Sequence, residues 1–161
     1  MRFQLVSEWH LAAPPEAVWR VLEDSDAWPQ WWPEIRRVRL LMPGGDNGEG
    51  AVYRTWWTSR LPYGFVLDFT TRATEKPHLL VVEASGDLAG MGRWEIAAIP
   101  VGTRVRYVWQ VHPHRLWMRC LAPLLSPLFA WNHHAVMRDG AAGMAHRLGV
   151  ELIDYRKGKT P

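Results

Sequence analysis

The sequence predicts an α+β fold in which a seven-stranded antiparallel sheet is followed by one long C-terminal helix. Turn-forming segments recur through the middle of the chain, at GGDNGEG (44–50), LPYG (61–64), EKPH (75–78), GDLAG (86–90) and IPVGT (99–103). The runs between these turns alternate apolar and polar residues, which is typical of an antiparallel sheet with one packed face and one solvated face. After Pro113 the spacing of apolar residues changes to that of a helix.

A strand and two short helices are predicted at the start of the chain. Residues 3–11 alternate between apolar and polar side chains, so they form a half-buried strand. The strand ends at Pro14, and Pro15 suits the first turn of a short helix over residues 15–23. A second short helix follows, with Asp26 as its N-cap.

Six further strands complete the predicted sheet. They cover residues 35–42, 51–59, 65–74, 79–85, 91–98 and 103–112. In the run 79–85 the pattern leaves two orientations open, because Glu83 shares a face with Leu79 and Val81 while the residues between them are also apolar.

The long helix closes the predicted fold. Ser126 and Pro127 predict an N-cap and a first turn, and the helix that follows is amphipathic. Its apolar stripe consists of Ala130, His134, Met137, Ala141, Met144 and Leu148. The segment 116–125 is predicted to be helical as well, with Pro123 and Pro127 bending or breaking the path.

Length and composition indicate one folded domain over residues 1–153, followed by a basic C-terminal tail over residues 154–161. The chain has 161 residues, of which 48% are hydrophobic and 22% are charged, and this excludes a disordered protein. The net charge of +3 resides in Arg156, Lys157 and Lys159. Most other arginines are scattered along the chain, so we expect no nucleic-acid-binding face.

The single cysteine and the first residues bear on the cellular setting. Cys120 has no partner for an internal disulfide, and it is expected to be a buried or half-buried apolar side chain. Residues 1–10 place Glu8 and His10 where a signal peptide would have an apolar run. We therefore expect a cytoplasmic protein.

The sequence predicts neither a metal nor another cofactor. Histidines occur in two pairs, His112 with His114 and His133 with His134, but neither pair has a carboxylate or thiolate at ligand spacing. The motifs that bind dinucleotides or nucleoside triphosphates do not occur in the sequence, nor does the nucleophile motif of hydrolases.

Four segments resemble the motifs of a known family. The opening W-x-L-x-A-P-x-x-x-V-W spans residues 9–19, and D-x-W-x-x-W-W-P spans residues 26–33. The turn G-D-L-x-G with a following tryptophan spans residues 86–94, and W-N-H-x-x-V-M-x-x-G spans residues 131–140. Together with the order of elements, these segments resemble the SRPBCC (START/Bet v 1-like) superfamily, and within it the bacterial polyketide cyclase/dehydrase-like proteins.

The resemblance covers nearly the whole chain and implies a helix-grip fold. In that fold a curved sheet wraps around the long helix and leaves a cavity between them. Because the superfamily spans lipid carriers, hormone receptors, cyclases and chaperone activators, the resemblance assigns no catalytic residue.

The inward faces of the strands predict an apolar cavity that is rich in aromatic side chains. The chain has 11 tryptophans, and several of them fall on the apolar faces of separate strands. The predicted ligand-binding residues are Trp32, Tyr53, Trp57, Phe69, Trp94, Trp109, Trp131 and Met137. The only charged candidate for these faces is Glu83 of the ambiguous strand. The cavity therefore suits a hydrophobic small molecule, lipid-like or aromatic polyketide-like.

An enzyme is the alternative function. His134 lies on the apolar stripe of the helix and can act as the acid/base of a polyketide cyclase or dehydratase, with Tyr107 or Ser7 as an orienting donor. The other interpretation of His134 is a core histidine that is hydrogen-bonded to a backbone carbonyl or to Tyr107. His133 is expected at the flank of the helix.

Segment 116–129 also has two interpretations. It is apolar with Arg115 and Arg119 at its edge, so it either covers the core or makes a transient contact with a membrane while a ligand is exchanged. The sequence predicts no oligomeric state.

Overall fold

An eight-stranded antiparallel sheet packs against one long helix in the computed structural model, which describes residues 2–158. The strands are β1 Phe3–Leu11, β2 Ile35–Met42, β3 Val52–Trp57, β4 Phe65–Glu75, β5 Leu79–Gly86, β6 Leu88–Ile99, β7 Gly102–Pro113 and β8 Leu152–Lys157. The helices are α1 Pro15–Glu23, α2 Trp28–Trp31 and α3 Leu116–Leu148, and a 3₁₀ turn over Ser25–Ala27 joins α1 to α2.

The strands lie in the order β2-β3-β4-β5-β6-β7-β1-β8, with every neighbouring pair antiparallel. From β2 to β7 this is also the chain order, because short connections join each strand to the next. β1 pairs with β7, and Trp9 lies opposite Val105 in this register. The fold class predicted from the sequence is confirmed, with one strand more than predicted.

The additional strand, β8, corrects the predicted boundary of the C-terminal tail. Residues 154–157 of that tail belong to β8, which pairs with β1 so that Trp9 lies opposite Tyr155. β8 is short, half-buried and at the edge of the sheet, where charged side chains remain in water. Its cations therefore obscured the strand pattern in the sequence. Residues 159–161 of the predicted tail lie outside the described residues.

Helix α3 begins earlier than predicted. It starts at Leu116, so Ser126 is not an N-cap, and it continues through Pro123 and Pro127. Both prolines are exposed, which leaves water free to satisfy the carbonyls that lose a backbone donor. Gly149 ends the helix with a φ of 67°, in the left-handed region that glycine favours.

No helix within residues 2–158 has both the length and the apolar character that are required to cross a bilayer.

Part of the core is a group of four buried tryptophans, Trp9, Trp31, Trp32 and Trp94, which we call the tryptophan cluster. Trp9 is fully buried, and its ring centroid lies 5.4 Å from that of Trp94 and 5.8 Å from that of Trp32. Trp31 stacks on Trp32 at 5.4 Å. Gly140 allows α3 to approach this cluster, because a Cβ at that position would overlap the Trp32 ring.

Candidate ligand-binding cavity

A cavity of about 160 Å³ lies between the sheet and α3. Strands β1 and β3 to β7 contribute apolar side chains to its wall, and Trp28 and Trp32 close it beside the tryptophan cluster. The polar side chains at the wall are Thr58, Ser59, Tyr107, Asn132 and His133. Among the described residues, no Asp, Glu, Lys or Arg lines the cavity.

Most of the predicted ligand-binding residues line this cavity. They are Trp32, Trp57, Phe69, Trp94, Trp109 and Met137. Their indole N–H groups are directed away from a ligand where the bonds are defined, since Trp32 Nε1 donates to the Val136 carbonyl at 3.0 Å and Trp57 Nε1 donates to Thr55 Oγ1 at 2.7 Å. The rings therefore offer apolar faces to the cavity.

The other two predicted ligand-binding residues, Tyr53 and Trp131, do not line this cavity. Trp131 is 51% exposed, because a helix turns by about 100° per residue and the wall is formed by the next two positions along α3. Tyr53 lies on β3 opposite the wall residue Phe69, but its own side chain is not part of the wall.

Strand β5 has a definite orientation in the structure. Leu80 and Val82 point into the cavity, whereas Glu83 lies on the other face and pairs with Arg72 at 2.6 Å. Glu83 is therefore not a cavity residue.

The two adjacent histidines of α3 occupy the reverse of their predicted places. His133 lines the cavity, and His134 turns towards β8, where its Nδ1 lies 2.8 Å from the Tyr155 hydroxyl. That hydroxyl donates to Ser7 Oγ at 3.2 Å, and Ser7 Oγ lies 3.5 Å from His133 Nε2. The prediction that His134 faces the cavity is wrong, because the unpredicted strand β8 covers that side of the helix. These four side chains form a partly buried hydrogen-bonded chain that reaches the cavity wall.

Burial favours the uncharged forms of His133, His134 and Tyr107 at neutral pH. Desolvation, together with the neighbouring His134, lowers the pKa of His133 to about 3. Desolvation also lowers the pKa of His134, with smaller effects from Lys157 and Arg138. The pKa of the Tyr107 hydroxyl is raised above its ordinary value by burial alone. The cavity is therefore both apolar and electrically neutral.

One side of the cavity is closed by the connection between β3 and β4, residues 58–64, through Thr58 and Ser59. The backbone N–H of Arg60 donates to Asn132 Oδ1 at 3.1 Å, which ties this connection to α3. The Arg60 guanidinium also pairs with Asp139 at 3.1 Å.

A buried carboxyl, Glu34, lies beside this link. Burial, and then the neighbouring Asp139, raise its pKa to about 7, while Arg60 acts in the opposite direction. The link between α3 and residues 58–64 therefore includes a group that titrates near neutral pH.

The wall residues that sequence reasoning missed lie mainly on α3. Met118, Phe129, Asn132, His133 and Val136 all line the cavity. Only Met118 precedes the predicted helix start at Ser126. The other four were missed because the predicted apolar stripe through Ala130 and His134 lies on a different face of the helix. Cys120 is exposed, so its prediction as a buried or half-buried side chain is also wrong.

Comparisons with known proteins bear on this geometry. A sequence model of the family described as "Polyketide cyclase / dehydrase and lipid transport" matches residues 2–149. No curated protein matches the sequence significantly.

Several solved structures share the fold. The di-domain aromatase/cyclase (ARO/CYC) BexL from the BE-7585A biosynthetic pathway is 15% identical to this chain, with a TM-score of 0.75. The alignment covers 93% of this chain and 51% of BexL, so this chain spans about half the length of BexL. The Zhui aromatase/cyclase from Streptomyces sp. R1128 is 12% identical with a TM-score of 0.72 over 92% of this chain and 93% of that one. A START superfamily protein from Mycobacterium smegmatis is 17% identical with a TM-score of 0.72 over 92% and 97%.

Proposed function

The chain belongs to the polyketide cyclase / dehydrase and lipid transport family, and we propose that it binds a hydrophobic small molecule, lipid-like or aromatic polyketide-like, between the sheet and α3. The observation that carries this proposal is a cavity wall built from aromatic and aliphatic side chains, without a charged side chain among the described residues. The family description names both polyketide cyclisation and lipid transport, and a hydrophobic ligand fits either.

The size of the cavity indicates that only a small ligand, or a small part of a larger one, fits inside it. At about 160 Å³ it is smaller than the roughly 300–1,000 Å³ of typical ligand pockets, and it is close to apolar cavities that hold a benzene ring. We expect one or two fused rings, or the end of an acyl chain, to enter without rearrangement. A larger ligand requires residues 58–64 or α3 to move.

The few polar groups at the wall orient the ligand in this proposal. Tyr107 has a protonated hydroxyl, His133 has a neutral imidazole, and the amide of Asn132 can donate. One carbonyl or hydroxyl on an otherwise apolar ligand is enough to use these groups.

Binding is tested with 2-naphthol, a neutral two-ring probe, by isothermal titration calorimetry and by native mass spectrometry of the freshly purified protein. We expect saturable binding of 2-naphthol, or an apolar molecule that co-purifies and competes with it. Absence of both a bound molecule and any heat of binding would contradict the proposal.

A second candidate function is a cyclase or dehydratase, and the observation that favours it is the partly buried hydrogen-bonded chain that starts at His133 in the cavity wall. His133 faces the cavity and connects through Ser7 and Tyr155 to His134, and each of these groups can both donate and accept a proton. In this candidate His133 exchanges a proton with a bound polyketone, His134 receives it at the far end, and Tyr107 orients the substrate carbonyl.

The enzyme candidate is tested with a synthetic poly-β-ketone that can cyclise by aldol condensation and loss of water. His133→Gln is expected to retain binding and to lose turnover, whereas His78→Gln, on the connection between β4 and β5, is the matched control. Equal turnover by His133→Gln and the unchanged protein would eliminate this candidate and leave the binding proposal in place.

A further inference from the structure

Four basic side chains surround an open depression on the protein surface, where β1 and α3 begin and β7 ends. We call it the basic depression, and its lining residues are Arg2, His112, Pro113, His114 and Arg119. The rings of His112 and His114 lie on either side of Pro113 in the sequence, with their centroids 5.5 Å apart. Among the described residues, no Asp or Glu lines the depression. It therefore offers guanidinium and imidazole N–H groups and no carboxylate.

The basic depression adjoins one end of the ligand-binding cavity. Pro113 lines both of them. Phe3 and Met118 line the cavity, and each is the immediate chain neighbour of an arginine of the depression, Arg2 and Arg119 respectively. The Cα atoms of such neighbours are about 3.8 Å apart. A ligand that extends past this end of the cavity wall therefore reaches the depression.

The charges of Arg2 and Arg119 are not compensated by ion pairs. Neither arginine forms one within residues 2–158. Asp87 lies beside this end of the sheet, since its backbone carbonyl accepts from the N–H of His114 at 3.2 Å. Both of its carboxylate oxygens, however, accept from Arg115, at 2.9 and 3.0 Å. The arginines of the depression therefore remain available to an anion.

The interior of the cavity is unsuited to an anionic group. Within the described residues no Lys or Arg lines it, and burial lowers the pKa of His133 to about 3, so its imidazole is neutral at pH 7. Transfer of a carboxylate or phosphate from water into such surroundings is strongly unfavourable unless a cation accompanies it. An ionised group on a ligand is therefore better placed at the end of the cavity, where basic side chains remain in contact with water.

We propose that the basic depression binds the anionic group, a carboxylate or a phosphate, of a ligand whose apolar part lies in the cavity. The role of the depression rests on the proposed function, whose ligand class it narrows to anionic amphiphiles. Guanidinium groups suit either anion, because their paired N–H donors match the spacing of carboxylate and phosphate oxygens. The imidazoles of His112 and His114 supply further donors.

The test compares three ligands of equal carbon number, decanol, decanoate and decyl phosphate, by isothermal titration calorimetry of the full chain below the micelle concentration. Arg2→Gln combined with Arg119→Gln removes two cations from the depression. Arg20→Gln combined with Arg104→Gln is the matched control, because both of these arginines are exposed and line neither the depression nor the cavity. Thermal unfolding checks each protein, and the single variants replace a double variant that does not fold.

We expect both anions to bind the variant of the depression at least about threefold more weakly than they bind the control, as for the loss of two exposed ion pairs. The affinity for decanol is expected to be equal in the two variants. Added salt should reduce the difference, because attraction between exposed charges is screened. The anion that loses more affinity identifies the natural group as a carboxylate or a phosphate.

Competition with 2-naphthol completes the test. Both anions are expected to displace 2-naphthol, because their apolar parts occupy the cavity. An anion that binds without displacing it contradicts a ligand that spans the two sites, and equal affinities of both anions for the two variants overturn the proposal. Either result leaves the proposed function in place if decanol or 2-naphthol binds. If neither of these neutral ligands binds, the proposed function fails and this proposal fails with it.

Discussion

The two halves of α3 meet the rest of the protein in different ways. In residues 132–148 the helix packs closely: Gly140 faces the ring of Trp32, and Gly143 faces the backbone carbonyl of Trp31. In residues 116–131 only scattered positions such as Met118 and Ala122 are buried, and the exposed apolar residues include Trp117, Leu121, Leu124, Leu128 and Trp131. Small residues allow close approach in the second half, whereas large apolar residues such as Leu124 and Leu128 are exposed in the first half.

This difference separates two tasks along one helix. The second half fixes α3 to the tryptophan cluster, and the first half covers the cavity with fewer contacts. Local opening requires little free energy where few apolar contacts are lost, so the first half can move while the second half keeps the fold. A ligand that is larger than the cavity can enter only if part of the wall moves while the rest stays fixed. In α3 the change from the part that can move to the part that stays fixed falls near Asn132.

The largest expected effect comes from substituting alanine for a helix-breaking residue in each half. Gly140→Ala is expected to destabilise the protein by about 1–3 kcal/mol, because the added Cβ overlaps the Trp32 ring. Pro123→Ala, in the exposed first half, is expected to stabilise it by up to about 3 kcal/mol, because it restores a helical hydrogen bond. Urea unfolding measures both. If the free energy of unfolding changed by the same amount in both variants, the two halves of α3 would not differ in how closely they pack.

Hydrogen exchange gives a direct measure of the same boundary. Backbone amides of residues 116–131 are expected to exchange at least about tenfold faster than those of residues 132–148. Saturation with 2-naphthol is expected to slow exchange in the first half more than in the second. Uniform protection along the whole helix, with or without the probe, would show that the first half does not open separately.

The smallest expected effect concerns the link between residues 58–64 and the packed half of α3. The pKa of Glu34 is raised from 4.5 to about 7 in the folded protein, so the folded state binds more protons than the unfolded state between these values. The free energy of unfolding that Glu34 contributes therefore falls as the pH rises from 4.5 to 7.

Glu34→Gln is expected to gain stability relative to the unchanged protein above pH 7, and to lose that advantage near pH 4.5. Chemical unfolding at these two pH values measures it. The lowered pKa values of His133 and His134 act in the opposite direction below 6.5, but they are present in both proteins and cancel in the difference. Glu83→Gln, at an exposed ion pair, is the control. An advantage of Glu34→Gln that does not vary with pH would show that Glu34 is not the titrating group.

The strands and the apolar character of the cavity were predictable from the sequence because a strand has a period of two. Once the face of β7 was assigned from Val105 and Val111, the positions of Tyr107 and Trp109 followed. The tryptophans on β6 and β7 are correctly placed for the same reason. β8 was not predictable in this way, since an edge strand keeps its charged side chains in water.

The positions on α3 were less predictable because a helix offers a continuous range of faces. Each residue turns the side chain by about 100°, so neighbours such as His133 and His134 can exchange roles if the partners of the helix are not known. Strand β8 is the partner that decides this pair, through the Tyr155 hydroxyl. The same rotation of about 100° per residue explains why Trp131 is exposed while the next residue, Asn132, reaches the cavity wall.

The central claim, that the space between the sheet and α3 is a ligand-binding cavity, is tested most directly by filling it. Val136→Trp adds a ring at the wall, and Val101→Trp adds the same ring at an exposed turn. Calorimetric titration with 2-naphthol should give equal affinities for the unchanged protein and Val101→Trp, and an affinity at least about tenfold weaker for a folded Val136→Trp. If Val136→Trp is folded and binds 2-naphthol as tightly as Val101→Trp does, the ligand binds elsewhere and the account is contradicted.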